Sequence, residues 1–142
     1  MNQSKIDEAL LATYVAGLFG LPTAYPNMGA VDASGNPVQP AGDPWARVSI
    51  LPSRPVVATL GPGGKDEFNG VMQVDLFYPR NAGSGEANAK ADEIITAFKT
   101  GTTHTAGAVT VHSDGAGRVR AVELPDWYQT IIEIAFHSWL ER

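Results

Sequence analysis

The 142-residue chain contains no cysteine, only three histidines, and fewer basic than acidic residues. The lack of cysteine excludes disulfides and thiolate metal sites, as is typical of proteins from a reducing compartment. Ten Lys and Arg against fifteen Asp and Glu give a formal net charge of −5. This acidic balance argues against nucleic-acid binding by bulk electrostatics. We therefore expect no specific nucleic-acid partner, and a single domain, residues 1–142, with its own core.

The chain also lacks an apolar run long enough to cross a bilayer. The most apolar stretch, ALLATYVAGLFGL, occupies residues 9–21, whereas a spanning helix needs about 20 consecutive apolar residues. Asp7 and Glu8 precede it, where a secretory signal would carry basic residues. We expect a soluble protein with no membrane partner, which stays in the compartment where it is made.

The segment LGPGGKDEFNG, residues 60–70, has the glycines and the lysine of a phosphate-binding loop. A P-loop needs a glycine five positions before the Gly64-Lys65 pair and a hydroxyl directly after it. Those positions hold Thr59 and Asp66, and the residues that follow predict a strand instead of a helix. The sequence therefore predicts no nucleotide here, and the segment is interpreted as the tip of an extended hairpin loop, residues 53–67.

Hydrophobic periodicity predicts two helices and five strands. An apolar helix begins near Ser4, and a Pro/Gly-rich loop, residues 20–44, separates it from the strand WARVSILPS. Further strands are predicted for EFNGVMQVDLFYP, for two segments joined by a DGAG turn, and for WYQTIIEIAFHSWL. The predicted fold is α+β, a single domain with a mostly antiparallel four- to five-stranded sheet, two helices on one face, and the order α-β-β-α-β-β-β.

The predicted core consists of apolar side chains that share the inward faces of these elements. Its members are Leu10, Leu18, Val48, Ile50, Val74, Leu76, Ile94, Phe98, Ile132, Ile134 and Phe136. The first helix shows a second, smooth face formed by Ala9, Ala12 and Ala16. Because a surface helix normally has a polar face, these alanines either lie inside the domain or are candidate contacts to another subunit.

The histidines and hydroxyls show no arrangement typical of catalysis. His104, His112 and His137 lack the spacing of metal ligands, and the i, i+2 pair His112 and Asp114 lies at a predicted turn. No segment matches the Gly-x-Ser-x-Gly nucleophile elbow. We predict no catalytic residue, no metal site and no cofactor.

The hairpin tip is the second candidate contact region. Its glycines, proline and charged residues cannot pack a core, so we expect it to project from the sheet and to be mobile in the free protein. The alternative is a solvated tip without a partner. The candidate contacts are Arg54, Gly63, Gly64, Lys65 and Asp66.

Several segments together resemble one protein family. They are the apolar helix close to the start of the chain, the Pro/Gly loop leading into WARVSILPS, the segment GVMQVDLFYPRNAGSGEANAKADEIITAF, and the last strand, WYQTIIEIAFHSW. In this order they resemble the bacteriophage tail terminator proteins, the minor tail protein U-like group. The likeness extends over essentially the whole chain and includes no catalytic signature.

The resemblance implies a structural role in a long-tailed phage. Such proteins form a ring of six subunits that caps the tail tube, stops its polymerisation and presents a surface to the head. The implied partners are other copies of the chain, the tail tube protein and a head–tail connector protein. The implied location is the head-proximal end of the tail in the virion, after assembly in the bacterial cytoplasm. A head–tail joining protein and a small enzyme are the alternatives that the residues leave open.

Overall fold

A computed structural model describes residues 3–39 and 42–142 of the chain. The two helices and eight strands follow in chain order. They are α1 (Ser4–Ala16), β1 (Thr23–Ala24), β2 (Ala30–Val31), β3 (Trp45–Pro52), β4 (Val56–Val57), β5 (Lys65–Pro79), α2 (Gly85–Ala97), β6 (Thr103–Ala106), β7 (Val109–Glu123) and β8 (Trp127–Glu141). Neither helix in the described ranges combines the length and the apolarity that a membrane span requires.

The strands form one sheet that curls into a half-barrel. Seven of them lie side by side in the order β2-β1-β3-β5-β8-β7-β6, and β4 pairs with β5 beyond the end of β3. The α+β class is confirmed, but the prediction of four to five strands in the order α-β-β-α-β-β-β is wrong. Three of the extra strands, β1, β2 and β4, are two residues long, too short to show an alternating pattern.

The long strands β5 and β8 form the centre of the sheet. They pair antiparallel without a break from Lys65 opposite Glu141 to Pro79 opposite Trp127. Alternation places Val74 and Ile132 on the same face, where both are fully buried. The sequence predicted these strands because their apolar residues recur every second position over many residues.

Strand β7 differs from its prediction as a hairpin. The DGAG segment, residues 114–117, was expected to turn, but β7 continues through it and pairs with β8. Register shifts between Ser113 and Gly115 and between Arg118 and Arg120 absorb the irregularity, as β-bulges do. Beyond Asp114 the outer edge of β7 pairs with no other strand of the described chain.

Both helices pack on the concave face of the sheet, where the core lies. The buried side chains Leu10 and Ala9 of α1 and Ile94 of α2 belong to the same apolar cluster as the strand residues. Among the predicted core residues, Ile50 is half-buried and Leu18 is exposed, and the other nine are buried. Leu18 was misplaced because α1 ends at Ala16, two residues before Leu18, although the apolar periodicity continues to Phe19.

Candidate interaction surfaces

Two of the three histidines meet on the convex face of the sheet. The rings of His112 and His137 stack with centroids 4.9 Å apart, and Trp139 lies edge-on to His137 at 4.7 Å. His137 Nδ1 lies 2.6 Å from Asp114 Oδ1. Within residues 3–39 and 42–142, no group of three or more His, Cys, Asp or Glu side chains is arranged to hold a metal ion. The cluster is an aromatic and hydrogen-bonding contact between β7 and β8.

His104 is buried and ties α1 to β6 and β7. Its Nδ1 lies 2.9 Å from Thr13 Oγ1, and its Nε2 lies 2.9 Å from Ser113 Oγ. Nε2 also lies 3.3 Å from Thr102 Oγ1. The hydroxyls of Thr13 and Thr102 donate to the carbonyls of Ala9 and Lys99, and the tautomer of the ring decides which of its nitrogens donates. Burial lowers the pKa of His104 from its ordinary value near 6.5. The ring is therefore a neutral structural link.

The convex face also holds an aromatic cluster at the start of β3. Trp45 stacks on Phe77 with ring centroids 4.3 Å apart, and Trp127 meets Trp45 edge-on at 6.3 Å. Arg47 lies over Phe77 and donates to the carboxylate of Asp75, which is fully buried. Aromatic rings, the paired cation and the amide of Gln73 therefore cover the Asp75 carboxylate on this face.

The connection between β3 and β5, residues 53–64, is fastened by the guanidinium of Arg142, and we call it the clamped loop. Arg142 donates to three backbone carbonyls and one carboxylate. They are those of Thr59 (2.5 Å), Gly61 (2.6 Å), Lys65 (3.1 Å) and Asp66 (2.5 Å to Oδ1). The backbone N–H of Arg142 also donates to the carbonyl of Gly64 at 3.0 Å. Charge-assisted bonds to several carbonyls tether the loop and oppose the mobility that the sequence predicts for it. That mobility in solution stays a prediction.

Gly64 is the point at which the clamped loop is most crowded. A Cβ at this residue would lie 2.5 Å from the carbonyl oxygen of Thr59 and 2.7 Å from that of Leu60, and it would collide with the guanidinium of Arg142. Its neighbour Gly63 would meet nothing within 4 Å. Only glycine therefore fits at Gly64, for reasons of space.

The clamped loop exposes apolar side chains in its fixed conformation. Val56, Val57 and Leu60 are all more than half exposed, and Leu60 reaches 89%. The next exposed aliphatic side chain, Leu51, belongs to the adjoining end of β3. Three exposed aliphatic side chains close together in the sequence make this segment a candidate surface for contact with another molecule.

A second apolar surface lies where α1 ends, and we call it the α1 groove. It is an open groove of about 420 Å³. Its lining includes Tyr14, Leu18, Phe19, Tyr25, Val31 and Asp32. Leu18 on its rim is 80% exposed and has φ = 50°. A leucine in the left-handed region is strained, so both the backbone and the exposed side chain of Leu18 are unfavourable in an isolated molecule.

The alanines predicted as subunit contacts occupy two different environments. Ala9 is buried in the core against the sheet, whereas Ala12 and Ala16 are exposed on the other side of α1. The three therefore do not form one surface.

The candidate contacts of the hairpin tip lie in or beside the clamped loop. Arg54, Gly63 and Lys65 are exposed, Gly64 is buried, and Asp66 is bound by Arg142. Their role as contacts remains a prediction.

Sequence reasoning missed the residues that define both surfaces. Arg142 acts on residues more than 75 positions earlier, which no local pattern reveals. Val56 and Val57 gave a weak signal of an exposed apolar site. They lie between Pro55 and a glycine-rich turn, and no polar residue alternates with them. Leu18 follows Gly17, and that glycine could have indicated the end of the helix.

Comparisons with known proteins connect this geometry to a family. The family model described as phage tail terminator protein matches residues 5–136. Five solved chains match, and one of them superposes with a TM-score of 0.69 at 18% identity, covering 96% of this chain and 92% of that chain. At this identity the likeness concerns the fold alone. No curated protein matches.

The family match extends over nearly all of the described chain and agrees with the resemblance found in the sequence. The chain belongs to the phage tail terminator protein family, and it is a structural component of a phage tail and not an enzyme.

Proposed function

We propose that this chain ends the tail tube of a long-tailed phage as a ring of six copies. The ring stops polymerisation of the tube and offers its other side to the head–tail connector protein. Family membership supports a place in the tail. The observation that carries the finer proposal is the clamped loop, which holds Val57 and Leu60 exposed to water in a fixed position.

The chemistry of the loop is that of an assembly surface. Exposed apolar side chains gain free energy when another protein covers them. Because Arg142 already orders the backbone at Thr59 and Gly61, little additional conformational entropy is lost on association. A protein that functions by docking to copies of itself and to a tube end needs this kind of surface.

Polymerisation of the tail tube protein from the same phage tests the proposal. Adding the purified chain should halt growth, and electron microscopy should show tubes of limited length capped by a ring. Leu60→Asp should abolish capping, because an aspartate cannot be buried in an apolar contact without a partner. Val119→Asp is the control, since Val119 is also more than half exposed but lies on β7.

The same experiment separates the terminator from the head–tail joining alternative. Tubes of unrestricted length in the presence of the chain would contradict termination. If such tubes nevertheless required the chain to bind heads, the result would favour a joining protein.

A further inference from the structure

The chain has two apolar surfaces of different kinds. The clamped loop exposes the side chains of Val56, Val57 and Leu60. The α1 groove is concave, with an apolar lining that includes Phe19 and Leu18. When an exposed apolar segment and an apolar groove lie on the same polypeptide, a second copy of that polypeptide can cover both of them.

Both surfaces carry charge at their edges. Two cations, Arg54 and Lys65, flank the apolar residues of the clamped loop, and neither forms a salt bridge within the described chain. Glu67 and Glu141 lie opposite Val56 and Lys65 in the strand pairing, and the two cations are the groups available to an acidic partner. The α1 groove is lined by one acidic side chain, Asp32, and by no basic one. Asp32 Oδ1 accepts from the backbone N–H groups of Ser34 and Asn36 at 2.9 and 3.0 Å, which fixes the carboxylate at the rim. Opposite charges at the edge of an apolar contact set its orientation.

The backbone of Leu18 gives an independent reason to assign the groove to a contact. Glycine at this position would relieve the left-handed strain and remove the exposed apolar surface. Strained residues that persist in a structure are concentrated at functional positions. An exposed and strained leucine on the rim of an apolar groove therefore indicates that the side chain is covered in the assembled state.

We propose that the clamped loop of one copy inserts into the α1 groove of the next copy. Leu60 contacts Leu18 there, and Arg54 and Lys65 face Asp32. This inference rests on the proposed function, for which it names the subunit contact. The contact is heterologous, because loop and groove are different surfaces, and repeated head-to-tail contacts close into a ring when the rotation permits.

Cysteine cross-linking tests the contact directly, since the natural chain has no cysteine. Leu60→Cys and Leu18→Cys are made in separate chains that carry tags of different size, and both sites are exposed, so folding is retained. The two proteins are mixed and treated with a short bismaleimide. The expected product is a heterodimer at least fivefold more abundant than either homodimer. Leu60→Cys mixed with Val119→Cys is the matched control and should give no such excess.

The outcomes separate this inference from the proposed function. Rings seen by electron microscopy, together with cross-linking no greater than in the control pair, would overturn the loop-in-groove contact and retain the ring. Selective cross-linking in short open chains would support the contact and contradict closure into a ring. The absence of both rings and selective cross-links would overturn both.

Paired substitutions supply a second measurement. Mixing Leu60→Asp with Leu18→Asp should give a discrete heterodimer and no larger species, because only one intact loop and one intact groove remain to meet. Each variant alone should stay monomeric. A heterodimer fraction no higher than that of either variant alone would contradict a head-to-tail contact.

Discussion

The guanidinium of Arg142 and the carboxylate of Asp66 form an ion pair, 2.5 Å from Nη1 to Oδ1, at the end of the sheet where β5 begins. The two residues are separated by most of β5, α2, β6, β7 and β8 in the chain. Their pairing brings the guanidinium within reach of the carbonyls of Thr59 and Gly61. This one side chain therefore determines how the clamped loop is presented.

Arg142→Ala should loosen the clamped loop without unfolding the domain. We expect the free energy of unfolding to fall by only about 1 kcal/mol, because the ion pair is partly solvated. Amide exchange at Thr59 and Lys65 should accelerate by about tenfold or more, because the loop can then open locally without breaking the hydrogen bonds to Arg142. Arg120→Ala, at an exposed arginine without an ion pair in the described residues, is the control. Unchanged exchange at both amides would show that Arg142 does not hold the loop.

Two adjacent glycines provide a matched test of crowding. Gly64→Ala should lower the free energy of unfolding by about 1–3 kcal/mol, because the added methyl group meets the carbonyls of Thr59 and Leu60. Gly63→Ala should leave it unchanged within about 0.5 kcal/mol, since nothing lies near the new Cβ. Chemical denaturation measures both. Equal effects at the two positions would contradict the described loop conformation.

The buried core should be sensitive to truncation. Phe98→Ala and Ile134→Ala should each cost about 2–5 kcal/mol, because both side chains are fully buried and leave cavities. Val15→Ala, on an exposed part of α1, should change stability by less than about 0.5 kcal/mol. Urea denaturation monitored by circular dichroism measures the three values. Small losses at both buried positions would indicate that the faces of α2 and β8 are assigned incorrectly.

Leu18 should respond differently to glycine and to alanine. Leu18→Gly relieves the left-handed backbone strain, and Leu18→Ala removes the same exposed side chain but keeps the strain. We therefore expect the glycine variant to be more stable than the alanine variant by about 1 kcal/mol. Thermal unfolding of the monomer measures the difference. Equal melting temperatures would mean that Leu18 does not hold a left-handed conformation in solution.

Acid should destabilise the domain through His104. Its pKa is lower in the folded than in the unfolded state, so below about 6.5 the unfolded state binds more protons. Its contribution to stability is complete above pH 6.5 and is lost as the pH falls toward the folded-state pKa. The free energy of unfolding is measured by urea denaturation at pH 7.5 and at pH 5.5. Between these two pH values we expect it to fall more in the wild type than in His104→Gln. An equal loss in the wild type and in His104→Gln would mean that other groups cause the acid sensitivity. His112→Gln serves as the control.

The sequence predicts those parts of the fold in which apolar residues recur with a regular period over a long segment. β5 and β8 are each fifteen residues long, and most of their apolar residues recur at every second position, so their existence follows from the sequence. The path of β7 could not be predicted, because Gly115 and Gly117 are ordinary turn residues and only pairing with β8 keeps them extended. Tertiary pairing overrides local preference there.

The candidate surfaces were less predictable than the fold. The glycine content drew attention to the hairpin tip, whose role as a contact remains a prediction, but the exposed apolar residues beside it, Val56 and Val57, follow no helical or strand period. The α1 groove depends on where a helix stops and on residues brought together by the sheet, such as Tyr14 and Tyr25 at 6.0 Å between ring centroids. Such contacts are properties of the folded chain.

The outer edge of β7 beyond Asp114 pairs with no other strand of the described residues, and this affects how the protein behaves at high concentration. An open strand edge is a template for cross-β aggregation. Here two bulges twist that edge, and Arg118 and Arg120 place positive charge along it, both of which discourage a foreign strand from adding. The free chain is therefore protected at this edge against the addition of a strand from another molecule, while its clamped loop stays exposed.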